Sequence, residues 1–237
     1  MAAKEHLLVF GASGAIGRAI TSAAVSKGWL VTGVARHLPE QHVEGVLSIA
    51  ADPFDSNFDV TTLASDRPFT SVCWAQGTNT NDSVHDVNVE THLELYRANC
   101  LYILVTMKAL LGSRSLQKGS RMCVISSIWQ NLARQKKLSY CMTKAALEGL
   151  VLSASADLAA EGHLINAVLP GALETPMTRR NLSAEQIDRL TSATGFGRLA
   201  SLEDVANVVC YLCSSENTGI TGQFIAADLG FSRVRIV

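Results

Sequence analysis

HLLVFGASGAIGRAI, from His6 to Ile20, is the stretch whose reading decides the fold. Its first five residues form a short, almost wholly apolar run, with the length and composition of a strand buried on both faces. From Arg18 onward the pattern changes to the helical spacing of RAITSAAVSKG, and between the two stand Gly11, Gly14 and Gly17. Glycines so placed allow a tight turn and bring backbone N–H groups close to whatever lies beyond the strand, where the positive end of the following helix favours an anion. Strand, glycine turn and helix, in that order, are the context in which such a loop holds a pyrophosphate. Gly11, Ser13, Gly14, Ala15, Ile16 and Gly17 are therefore a candidate phosphate cradle. A purely structural turn is the alternative reading.

The alternation continues outward from that junction. WLVTGVA, GVLSIAAD, SVCWAQG, RMCVISS, LINAVLPG and QFIAADLG are further short runs rich in Val, Ile and Leu, separated by longer segments of helical period. Strands alternating with helices build βαβ units, so the expected fold class is α/β, a Rossmann-type doubly wound parallel sheet with helices on both faces. With 237 residues, 48% apolar and 17% charged, one domain over 1–237 is expected. The segment 174–197 stands out as polar and threaded with charge, which suggests a mobile lid. A net charge of −1, with no long run of Lys or Arg, leaves no electrostatic footprint for nucleic acid or an anionic membrane and points to a small partner. No apolar run approaches the ~20 residues of a membrane helix, and the first strand-like run starts too early to leave room for a signal peptide, so a cytoplasmic protein is expected. The six cysteines all lie in apolar segments. Cys210 and Cys213 form a CxxC of helical spacing with no second Cys or His pair to complete a zinc site, so core packing is expected there, and no metal.

The second strand ends VTGVAR, where an Asp or Glu would bind the 2′-hydroxyl of an adenosine ribose. Arg36 is there instead, followed by His37. A guanidinium binds a 2′-phosphate in a fork where a carboxylate would repel it, so NADP(H) is favoured over NAD. Asp52, closing the third strand, is placed to accept from an adenine amino group, although an Asp before Pro is also a common turn former.

SSIWQNLARQKKLSYCMTK, Ser126 to Lys144, holds the other chemical signal. Tyr140 and Lys144 stand four residues apart and share a helical face, where an ammonium can depress the phenol pKa toward working pH and make a proton donor. Ser127 ends the preceding strand at the sheet's carboxyl edge, where ligands bind, and can hold a substrate oxygen. Trp129, Gln130 and Leu132 just after it, together with Met177, are expected to line a substrate pocket.

The Ser127, Tyr140, Lys144 pattern downstream of the glycine loop resembles the short-chain dehydrogenase/reductases, and the likeness runs from about His6 to Gly230. The resemblance implies that these three residues are catalytic, with Lys144 also holding the nicotinamide ribose. It further implies that Asn99, in YRANCLYILVTMKALL, kinks its helix and supports a proton relay. LPGALETPM resembles the family's Pro-Gly segment, which implies that Pro170, Gly171, Leu173 and Thr175 face the cofactor and Ala172 lies by the nicotinamide at the substrate pocket. The tail GRLASLEDVANVVCYLCSS resembles that of 3-oxoacyl-carrier-protein reductases. Ala75, Gln76 and Gly77 stand where the family carries an Asn-Ala-Gly, and they are expected to line the cofactor site. The implied function is NADP(H)-dependent interconversion of a carbonyl and an alcohol, with Tyr140 as general acid/base; a nucleotide-sugar epimerase or dehydratase, or a catalytically silent NADP-sensing protein, are the alternatives. Segments His92 to Leu111 and Ser139 to Leu158 are apolar over more than one helical face, and in the family the corresponding helices pair across a two-fold axis, so a homodimer or homotetramer is expected.

Overall fold

The computed structural model describes residues 4–38, 43–64, 67–113, 115–175, 178–179 and 183–234. The seven apolar runs are strands: β1 (His6–Phe10), β2 (Leu30–Ala35), β3 (Val46–Ala50), β4 (Phe69–Trp74), β5 (Leu116–Ile125), β6 (Leu164–Pro170) and β7 (Phe224–Ala227). They form one sheet in the order β3-β2-β1-β4-β5-β6-β7, with every neighbouring pair parallel. The expected Rossmann-type doubly wound sheet is the observed one. Because all strands run the same way, the residues that follow β1, β2, β4, β5 and β6 meet along a single edge, where most of the candidate site residues gather.

Side chains alternate across each strand, so one apolar run feeds two cores. Leu7 and Val9 of β1 point to the face covered by α1 (Ala15–Ser26) and α6 (Leu202–Cys213), packing with Ile20, Val205 and Val209. Leu8 and Phe10 point the other way, to a core shared with Ile103 and Met107 of α3 (Tyr102–Gly112) and Leu147 and Val151 of α4 (Leu138–Asp157). Trp74 anchors this second core, its ring stacked on Phe10 and its Nε1 donating to Thr106 Oγ1 at 2.8 Å.

The thiols of Cys73 and Cys123, cross-strand partners in β4 and β5, lie with Cys210 and Cys213 of α6 in the first core, all four buried. Burial pushes the Cys210 thiol up to about 12. The CxxC thus packs in the core as expected.

Two connections depart from regular helix. A single 3₁₀ turn, Val60–Leu63, lies between β3 and β4 and buries both its apolar ends. Between β4 and β5, α2 (Val89–Tyr96) passes into α3 through a π turn, Arg97–Leu101, in which Asn99 is buried. The polar segment 174–197 contains a helix, α5 (Ala184–Ser192), closed at its start by a capping box of Ser183 and Gln186 and seated by the buried Ile187. No described helix is long and apolar enough to cross a membrane.

Candidate active site

The chain leaves β1 and turns at Gly11 with φ +77°. A Cβ there would stand 2.4 Å from the backbone N of Gln76, and one at Gly17 would stand 2.2 Å from the carbonyl oxygen of Gly11. Neither position accepts a side chain without moving backbone, so the loop is held against the end of β4 and against the first turn of α1. Gly14 is the N-cap of α1, with no side-chain capping bond and no acid in the first turn. Ser13, Gly14 and Ala15 are exposed, whereas Ile16 rests on the α1 and α6 core.

Beyond this loop the sheet edge opens into a cleft of about 720 Å³. Its walls include Gly11, Ser13 and Gly14 from the loop, Arg36 after β2, Asp52 after β3, and Ala75, Gln76 and Gly77 after β4. Phe54, Arg97 and Tyr102 close one end. The Arg97 guanidinium lies 4.1 Å from the Phe54 ring centre, and Tyr102 meets the same ring edge-on. Burial raises the Tyr102 phenol pKa, Asp52 raises it further and Arg36 opposes, so a carboxylate and a guanidinium both act on this end of the cleft. The Asp52 Oδ1 accepts from Phe54 N at 3.0 Å, the local turn that its Asp-Pro sequence suggested.

Tyr140, Lys144, Ser127 and Asn99 are not among the residues that line the cleft; they cluster beside it, meeting its wall at Gly77. Lys144 is buried, its Nζ donating to the Ile125 carbonyl at 2.9 Å and standing 5.7 Å from the Tyr140 ring centre. A Cβ on Gly77 would lie 3.7 Å from that Nζ and 3.2 Å from Asn99 Oδ1, so this wall of the cleft adjoins the cluster closely. Asn99 accepts from Thr78 N at 2.8 Å and donates to Thr78 O and Thr143 Oγ1, tying the π turn to the loop after β4 and to α4. Ser127 caps the short 3₁₀ turn Ile128–Gln130, its Oγ accepting from Trp129 N. Burial lowers the Lys144 pKa to about 8, with Cys100 opposing.

The expected depression of the Tyr140 phenol by Lys144 does not occur. Burial raises the phenol pKa, and the opposing influence comes from the Ser127 hydroxyl. The geometry supplies the reason: the Lys144 ammonium is directed to the Ile125 carbonyl.

A family model described as enoyl-(acyl carrier protein) reductase matches residues 68–232. The chain belongs to the short-chain dehydrogenase/reductase family. This short-chain dehydrogenase/reductase is 26% identical over 239 residues to the 3-oxoacyl-[acyl-carrier-protein] reductase FabG of Escherichia coli, covering 96% of the chain and 97% of that protein. It is 24% identical to the uncharacterized oxidoreductase YmfI of Bacillus subtilis, covering 94% and 97%. Among solved structures, ElxO with NADP bound superimposes with a TM-score of 0.87 at 20% identity, covering 97% of this chain and 99% of that one. A short-chain dehydrogenase family protein from Francisella tularensis gives 0.86 at 22% identity, covering 97% and 99%.

Several of the residues singled out in this oxidoreductase lie elsewhere than the cleft wall. His37 is exposed beside Arg36 but does not line the cleft. Gln130 is buried with its Oε1 accepting from Ser126 Oγ at 2.7 Å, so its amide oxygen serves the local fold. Leu132 packs on the second core, as does Trp129, which meets Phe231 edge-on. Pro170 ends β6, and Gly171 N donates to the Ala227 carbonyl at 3.2 Å. Ala172 is half-buried, and Leu173 bridges to Ala200. Thr175 Oγ1 accepts from Thr178 N at 3.1 Å. Met177 lies outside the described residues.

Two partners escaped the sequence reading. Asp82 accepts from Ser139 N at 2.9 Å and its carbonyl from Leu138 N at 3.2 Å, capping α4 just before Tyr140. Lys137 Nζ donates to Asn79 Oδ1 and to the Thr80 carbonyl, fastening the same loop to the same helix. Both join residues about 57 positions apart, which no local pattern announces.

Proposed function

We propose that this oxidoreductase is an NADP(H)-dependent reductase that interconverts a carbonyl and an alcohol, with Tyr140 as general acid/base. The observation that carries the reading is the position of Lys144, whose ammonium stands 5.7 Å from the Tyr140 ring centre and just behind Gly77 of the cleft wall, so that one cation adjoins both the proton donor and the cleft. The residues present fit a nicotinamide dinucleotide. Gly11 and Gly17 form a cradle that a Cβ would fill, and the first turn of α1 has no side-chain cap to claim its N–H groups. Gly11, Ser13 and Gly14 would hold the phosphates, Arg36 a 2′-phosphate, Asp52 the adenine, and Lys144 the nicotinamide ribose. When bound, the cofactor supplies a hydride to the substrate carbon, or takes one from it.

The chain's own residues handle the proton. Burial keeps the Tyr140 phenol protonated at neutral pH, which suits an acid that donates to a developing alkoxide. Ser127, which works against burial on that phenol, can bond the same substrate oxygen, meeting charge where it forms. Asn99 holds the loop after β4 and α4 in register, and the lid expected at 174–197, as far as it is described, would cover the substrate.

A homodimer or homotetramer is part of the same reading. Leu93 (60% exposed) and Leu104 (52%) on α2 and α3, with Met142 (51%) and Leu152 (48%) on α4, are apolar side chains left in water by the single chain. Leu158 takes no part, because it is buried in the second core.

The test is to incubate purified protein with NADPH and a panel of ketones, 3-oxoacyl thioesters and quinones, following loss of the reduced-nicotinamide absorbance. Substrate-dependent oxidation supports the proposal, and its absence across the panel, with the cofactor bound, overturns it.

A further inference from the structure

Among the described residues, three buried side-chain polar atoms have no hydrogen-bond partner, and two of them are the Nε2 and Oε1 of a single residue, Gln76. Buried amides are almost always paired, and an unpaired one costs stability that the fold must recover elsewhere. Nothing in the packing requires an amide here, since an apolar side chain of the same length would fill the same space. The unpaired group lies at the edge of the candidate cofactor cleft, which Gln76 helps to line.

Its backbone is fixed. Ala75 N donates to the Phe10 carbonyl at 2.9 Å, and a Cβ on Gly11 would stand 2.4 Å from Gln76 N and 2.6 Å from its Cα. The glycine loop therefore bears directly on this residue, and only its side-chain torsions are left to move. Its neighbours define what it can reach. On one side is the loop of Gly11 to Gly14, suited to phosphate oxygens. On the other is Gly77, where an added Cβ would come within 3.2 Å of Asn99 Oδ1 and 3.7 Å of Lys144 Nζ, a neighbourhood suited to sugar hydroxyls. An amide both donates and accepts, and so matches a stretch of ligand carrying phosphoryl oxygens and hydroxyls together.

We infer that Gln76 is a cofactor-affinity residue: its amide turns into the cleft when a nicotinamide dinucleotide binds and makes its hydrogen bonds to the phosphate and ribose oxygens between the glycine loop and Lys144. This rests on the cofactor reading above. It adds that the chain carries a strained polar group whose partner arrives with the ligand, so the ligand-free fold is less stable than it would be with an apolar residue at this position.

The test uses Gln76→Leu, which keeps the bulk and removes the amide, and Gln76→Met as a second isostere should the first fail to fold. Two quantities are read for each: the Kd for NADPH by quenching of tryptophan fluorescence, and the melting temperature with and without NADPH. The expected result is a Kd about tenfold weaker, a ligand-free melting temperature equal to or above wild type, and a smaller rise on adding NADPH. A variant that binds NADPH as tightly as wild type overturns the inference, and so does a ligand-free melting temperature several degrees lower, which would mean that the amide has a partner within the fold. Wild-type protein that binds neither NADPH nor NADH would instead overturn the cofactor reading itself.

Discussion

Helices α1 and α6 pack side by side on the same face of the sheet, and each is twelve residues long, yet they begin in opposite ways. α6 starts with a complete capping box: Ser201 Oγ accepts from Asp204 N and Asp204 Oδ2 accepts from Ser201 N, with Glu203 also in the first turn. α1 starts at Gly14 with no side-chain cap and no acid in the first turn. The positive end of α6 is satisfied by its own residues, whereas that of α1 is left for something brought to the cleft. α4 is a third case. Its N-cap, Lys137, makes no side-chain capping bond, and Asp82, from the loop after β4, supplies the acceptor to Ser139 N. A helix that serves only the fold caps itself, one that faces the proposed cofactor does not, and the one that carries Tyr140 is capped by the loop that lines the cleft.

The strongest way to break this comparison is to fill the turn at α1. Gly17→Ala puts a methyl 2.2 Å from the Gly11 carbonyl oxygen, which outweighs the ~1 kcal/mol gained in helix propensity. NADPH affinity should fall by on the order of 100-fold in a titration, with a stability loss of about 1–3 kcal/mol in chemical denaturation. Unchanged affinity would mean that the loop does not hold the ligand.

Tyr140→Phe should lower turnover by ~10² or more with the Kd for NADPH nearly unchanged, because the phenol acts in the transition state. A pH profile sharpens this. Lys144, with its pKa lowered to about 8, is charged below that pH and neutral above it, while Tyr140, raised by burial, keeps its proton throughout. In the reduction direction kcat/KM should therefore be level below about pH 8 and decline as pH rises through it. A limb that rises with pH across that window would assign the titration to another group.

The external cap on α4 predicts a smaller effect. Asp82→Ala leaves Ser139 N without its acceptor and loosens the first turn carrying Tyr140, and kcat should fall about tenfold with NADPH affinity unchanged. Asp82→Asn, whose amide oxygen can still accept, should restore most of it. Equal losses in both variants would argue against a positioning role.

These cases also divide what the chain discloses by itself from what it does not. All seven strands were legible as apolar runs, because a parallel sheet covered on both faces needs hydrophobic side chains at nearly every strand position. The glycine loop and the spacing of Ser127, Tyr140 and Lys144 were legible because each is a local pattern. Asp82 was not, since its partner lies 57 residues away. Nor was the loss of Gln130 to Ser126, or the direction of the Tyr140 shift, which depends on where the Lys144 ammonium finds its acceptor. A kink at Asn99 was anticipated only through resemblance, and its form, a π turn, was not, because nothing in RANCL itself dictates it.

The smallest expected effect isolates the self-capped helix. Ser201→Ala removes the acceptor for Asp204 N and should cost about 1 kcal/mol of stability in chemical denaturation, while the Kd for NADPH stays at its wild-type value. A change in that Kd would mean that α6, too, reports to the cleft.

Parallel titrations of NADPH and NADH into wild-type protein and Arg36→Asp test the proposed cofactor site most directly. Arg36 lines the cleft where a 2′-phosphate would sit, so wild type should bind NADPH at least about tenfold more tightly than NADH. The variant, losing a charge-assisted contact of about 1.5–3 kcal/mol, should bring the two toward parity. A wild-type protein that binds NADH as tightly as NADPH, or an Arg36→Asp variant that keeps the full preference, would contradict the assignment of this cleft.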